Sequence, residues 1–92
     1  MKTLIYRAAL RKWGPEKQLA KLAEEAAELS AATARGLTGF CDEAVLADEM
    51  ADVEIMIEQF RQNGMEKLID YRKAKKLARL AEWLGVVNDD VC

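Results

Sequence analysis

Ninety-two residues suffice for one domain and leave no room for a second. Hydrophobic types make up 51% and charged types 33%, the composition of an ordered soluble chain rather than a disordered one. With 14 Lys+Arg against 16 Asp+Glu the formal net charge is -2, which argues against a general nucleic-acid binder. Histidine is absent, and that excludes Ser-His-Asp and Cys-His catalysis, the usual zinc enzymes and di-iron sites built on Glu-x-x-His. Chemistry is left to carboxylates, to Lys or Arg, and to a hard metal ion.

At the N-terminus the apolar stretch Thr3 to Leu10 is interrupted by Arg7 and is too short for a signal peptide. No stretch approaches the roughly 18 apolar residues of a membrane span. Cys41 and Cys92 form neither a CxxC pair nor a disulfide framework, and they read as reduced thiols of a cytoplasmic protein. One Pro and five Gly divide the remainder into helical segments. A short amphipathic piece over 3–12 stops at Trp13-Gly14-Pro15. Pro15 suits the first turn of a second helix running to about Arg35, where Gly36 and Gly39 break it. Asp42 caps a third helix that runs to about Gln62. Asn63-Gly64 ends that one, and a fourth runs from about Met65 to Leu84, stopped by Gly85. β-branched runs and strict alternation are missing, so the expectation is an all-α, four-helix protomer.

Charge is distributed unevenly along these segments. Glu16 to Glu58 holds 11 acids and 3 bases (Lys17, Lys21, Arg35), whereas Met65 to Leu84 holds 6 bases and 3 acids. Pairing between neighbouring helices would account for this. So would an acidic metal site facing a cationic anion clamp.

Two strings repeat one pattern: Glu24-Glu25-Ala26-Ala27-Glu28-Leu29 and Asp48-Glu49-Met50-Ala51-Asp52-Val53. A lone ExxE carries little information, because Glu is common on helices. Position strengthens the pair: Glu28 and Glu25 lie 7 and 10 residues before Arg35, and Glu49 and Asp52 lie 7 and 10 residues after Asp42. In an antiparallel hairpin the four carboxylates therefore fall at matching heights. At about 100° per residue Glu49 lies within the apolar stripe of Val45, Val53, Met56 and Phe60, and Asp52 at its margin. A carboxylate there is costly unless paired with a buried Lys or Arg or bound to metal. On the second helix, taking Leu19 as the apolar reference, Glu25 and Glu28 fall among polar residues and read as a solvated face.

Carboxylates without imidazole or thiolate suit Mg²⁺ or Mn²⁺. Mg²⁺ usually shares its sphere with phosphate oxygens, so four acids point to a phosphorylated substrate. A triphosphate beside four carboxylates is tolerable only with two or more Mg²⁺ and some cationic side chains. On the fourth helix Arg72, Lys76 and Arg79 share the side of Leu68 and Trp83, with Lys75 nearby. Long basic chains often snorkel from such positions, and a phosphate clamp is the other reading.

Together these residues resemble the MazG-like nucleoside triphosphate pyrophosphohydrolases, whose pattern is ExxE, a spacer, then ExxD. Here it is Glu25-Ala-Ala-Glu28, 20 residues, then Glu49-Met-Ala-Asp52, with Trp13-Gly14 upstream. The resemblance covers about residues 13–84 and implies a homodimer or homotetramer hydrolysing an NTP or dNTP to the monophosphate and pyrophosphate. It implies Glu25, Glu28, Glu49 and Asp52 as Mg²⁺ ligands, with one of them or Glu24 taking a proton from the attacking water. Members carry a Lys and an Arg four apart on the last helix, matched here by Lys75 and Arg79. Arg72 and Lys76 share that spacing, and Lys73 stands where an Asn is often found. Trp13, Phe40 and Tyr71 are aromatic enough to stack on a base, or to serve as core. Two other readings stand beside the hydrolase: a helical oligomerisation module whose acids serve solubility, and a nucleotide-binding regulator with little turnover. No nucleic-acid or membrane partner is expected.

Overall fold

The computed structural model describes residues 1–40 and 42–86, so the thiol reading of Cys41 and Cys92 lies outside the described residues. The described residues are all-α, with no strand among them. Four separate helices do not form. The first two expected segments run on as one bent element, α1 (Lys2–Leu37). The last two, α2 (Glu43–Phe60) and α3 (Glu66–Leu84), are separated by Arg61–Met65, where Asn63 and Gly64 (φ 110) leave the helical conformation as expected.

The bend in α1 is at Gly14, whose backbone (φ 79, ψ 167) lies in a region closed to most side chains. Pro15 follows and has no amide hydrogen to satisfy, so the chain changes direction and resumes its helix without an intervening loop. At the other end Gly36 is helical. The helix stops instead at Gly39 (φ 81), where Phe40 N–H donates to Arg35 C=O at 2.9 Å. Asp42 caps α2 as its sequence position implies, its side chain accepting from Val45 N–H at 2.9 Å.

Gln18, Leu22, Glu25, Leu29 and Ala32 turn inward on α1, and Leu46, Glu49, Val53, Met56 and Phe60 on α2. Both sets alternate steps of three and four, the spacing of a helical-hairpin seam. Hydrophobic burial is sparse: among the described residues the only buried hydrophobic ones are Tyr6, Ala9, Ala32 and Met56. The N-terminal arm is pinned to the far end of α2. Tyr6 Oη donates to Glu58 at 2.5 Å, Lys2 Nζ donates to the same carboxylate at 3.3 Å, and Gln62 Nε2 donates to Thr3 C=O at 3.2 Å. No residue of α3 is buried. The radius of gyration is 16.4 Å, against about 12 Å for a compact domain of this length.

Candidate metal centre

Antiparallel pairing of α1 and α2 brings the two acidic motifs together. Glu25, Glu28, Glu49 and Asp52 each offer a carboxylate oxygen, and the four oxygens lie within 4.8 Å of one another. Burial grades across the group: Glu25 is only 6% exposed, Glu49 half-buried, Glu28 and Asp52 exposed. Glu25 Oε2 and Glu49 Oε2 are buried and have no hydrogen-bond partner. Buried carboxylate oxygens are ordinarily satisfied. Two orphaned oxygens on members of one cluster of like charges call for a cation.

The seam explains why Glu25 is buried although the sequence places it on a polar face. Leu19, the reference for that expectation, is 58% exposed, and the inward line of α1 runs through Gln18 and Glu25 instead. That line carries two polar residues exactly one heptad apart, so hydrophobicity alone misidentifies it.

Electrostatics agree with the crowding. The neighbouring Glu25 carboxylate, then loss of solvent, then Glu49 and Glu24 push the Glu28 carboxyl above its ordinary value of 4.5, with Lys21 opposing. Among the described residues Lys21 is the one cation paired with the group, its Nζ lying 3.0 Å from Glu25 Oε1 and also 3.6 Å from Oε1 of the neighbouring Glu24. Glu24 thus stands beside the cluster in an exposed ion pair, outside the four.

A cavity of about 480 Å³ opens from the cluster. Glu25 and Asp52 stand at its acidic end, and Trp13, Ile55 and Met56 supply apolar wall. Lys17 and Lys21 border it, and Gln18 and Gln59, both buried, lie against it with Gln18 Nε2 donating to Gln59 Oε1 at 2.8 Å. Of the residues expected around the substrate, Trp13 lines the cavity that opens from the cluster. The α3 cations do not. Lys76 and Arg79 line a separate open groove with Leu80, Glu82 and Trp83, and Lys75 lies 5.0 Å over the Tyr71 ring. Among the described residues no ion pair or hydrogen bond links Arg72, Lys75, Lys76 or Arg79 to the carboxylates. Sequence reasoning passed over Lys17, Lys21, Gln18 and Gln59. The signal was present, since Lys17, Lys21 and Glu25 succeed one another at i, i+4 on one face.

Four carboxylates with no nitrogen or sulfur donor fit a hard divalent cation such as Mg²⁺ or Mn²⁺, and the two orphaned oxygens give such an ion something to satisfy. In comparisons with protein-family models, curated proteins and solved structures, nothing matches the chain.

Proposed function

We propose that the protein is a Mg²⁺-dependent nucleoside triphosphate pyrophosphohydrolase of MazG-like type, with Mn²⁺ an alternative ion. The observation that carries this reading is the four-carboxylate group with its two orphaned buried oxygens, set at the mouth of a cavity with an aromatic wall and two lysines. Glu25, Glu28, Glu49 and Asp52 would hold the ion. When bound, it supplies charge neutralisation for phosphate oxygens and acidifies a coordinated water. The chain's own residues do the rest. The carboxylates fix the reacting end of the substrate, and Trp13 with Met56 forms a wall against which a planar base packs. In the reaction a water oxygen bonds to the α-phosphorus, the bond from that phosphorus to the α–β bridging oxygen breaks, and pyrophosphate leaves with the electron pair. The water proton passes to a carboxylate of the cluster or to Glu24. The bare α3 and the extended shape favour a homodimer or homotetramer as the working form.

A panel of NTPs and dNTPs incubated with Mg²⁺ tests the reading by its products. Monophosphate and pyrophosphate are expected. Diphosphate with orthophosphate, or no turnover of any nucleotide, overturns it.

A further inference from the structure

The α3 cations Lys76 and Arg79 line a groove separate from the carboxylate cavity. Within the protomer the cations at the site are instead Lys17 and Lys21 of α1. We propose that Lys21 is an exchangeable counter-ion of the metal site. It neutralises Glu25 while the site is free of metal, and once a divalent cation takes Glu25 it turns, with Lys17, to bind the triphosphate. The proposal rests on the pyrophosphohydrolase reading and adds to it the residues that recognise the polyphosphate.

Three observations carry it. Lys21 Nζ contacts Oε1 of Glu25 at 3.0 Å while Oε2 of the same, almost fully buried carboxylate has no partner. One lysine thus compensates half of a ligand whose other half is left to an ion. Second, the Lys21 side chain is 52% exposed and lines the cavity, so it can leave Glu25 without crossing packed structure. Third, Lys17 lies one helical turn before Lys21, borders the same cavity, and has no ion-pair or hydrogen-bond partner among the described residues. The i, i+4 spacing puts the two ammonium groups in a row leading away from the cluster. A polyphosphate held by metal at the carboxylates would extend along that row. The charge balance requires it: four carboxylates and a triphosphate carry roughly eight negative charges, and two Mg²⁺ offset about half.

The test uses Lys21→Met, which keeps the length of the side chain and removes its charge, with Lys21→Arg and Lys17→Met alongside. Mn²⁺ binding alone is followed by electron paramagnetic resonance. Binding of inorganic triphosphate to the Mn²⁺-loaded protein is followed by calorimetry. Lys21→Met should bind Mn²⁺ about threefold tighter or more, because the competing cation is gone, and should bind triphosphate at least tenfold more weakly. Lys21→Arg should retain triphosphate binding, and Lys17→Met should weaken it with Mn²⁺ affinity unchanged. A lysine that merely props Glu25 in place predicts the opposite sign for the metal. Weaker Mn²⁺ binding by Lys21→Met, or triphosphate binding that ignores both lysines, overturns the proposal. Neither measurement needs turnover, so a protein that hydrolyses no nucleotide would sink the proposed function and still leave this inference decided by its own result.

Discussion

Gln18 and Gln59 meet across the α1–α2 seam, Gln18 Nε2 donating to Gln59 Oε1 at 2.8 Å. Seven residues onward on α1 and seven back on α2, the same register sets Glu25 level with Asp52, and three further sets Glu28 level with Glu49. A buried polar pair tolerates one alignment, whereas leucines tolerate several. The amide pair therefore keys the carboxylate cluster.

That asymmetry is measurable. Gln18→Leu leaves the Gln59 amide buried without its partner and should cost about 1–3 kcal/mol of unfolding free energy. Replacing both by Leu removes both polar groups and should recover most of the loss. Urea denaturation of the wild type, the two single variants and the double variant measures this. Simple additivity of the two losses would show that the pair is not a unit.

Glu49→Gln tests the metal site through stability. Without metal, wild-type Glu49 keeps a buried oxygen unpartnered among like charges. The amide removes one charge and can donate to a neighbouring carboxylate. The metal-free variant should melt at least as high as the wild type, by about 4 °C if the relief approaches 1 kcal/mol. Mg²⁺ should raise the wild-type melting temperature by mass action and the variant's much less. Asp52→Asn should behave alike, since no cation is paired with Asp52 among the described residues. Thermal melts with and without Mg²⁺ read both. A large, metal-independent destabilisation would remove these residues from the ligand set.

Glu28 gives the site a pH signature. Its carboxyl is raised above 4.5, chiefly by the Glu25 charge, so the folded protein holds that proton more tightly than the unfolded chain. The resulting stability is complete below the ordinary value and is lost as pH rises through the folded one. Glu58 and Asp70 work the other way. Hydrogen bonds from Tyr6 and from Arg61 hold them below 4.5 and 3.8, and their contribution disappears as pH falls through their folded values. Glu28→Gln should therefore stabilise the metal-free protein at pH 7, with the advantage shrinking toward pH 4.5. Melts of both proteins across that range check the sign, and an advantage that grows on acidification would contradict it.

Light scattering at micromolar concentration should return two or four times the protomer mass. Leu68, Leu77, Leu80 and Trp83 of α3 are between 44% and 84% exposed, an apolar surface that association would cover. A monomer would contradict this expectation.

The all-α class, the Asp42 cap and the matching heights of the two acidic motifs were legible because each is local or follows from counting residues to a turn. The interruption at Gly14 was legible too, but not that the two helical pieces abut there without a loop, since a Gly-Pro step reads equally as a loop or as a bend. Burial of Glu25 was hidden for a different reason. The inward line of α1 is half polar, with Gln18 and Glu25 alternating with Leu22 and Leu29, so the apolar moment points away from the true seam. The expected α3 clamp followed from helix-face position and the resemblance, and within the protomer Lys76 and Arg79 line a groove separate from the carboxylate cavity.

The bare α3 also bears on how the molecule comes to be ordered. A helix of 19 residues with nothing buried draws its stability from its own backbone and from neighbouring side chains, and such helices are marginal in water. In a lone protomer α3 would fray while the α1–α2 hairpin holds. If association covers its apolar residues, helix formation there is coupled to binding, and helical content rises with protein concentration. Circular dichroism on dilution would then register dissociation as a loss of helix, and secondary structure itself would serve as the assembly's reporter.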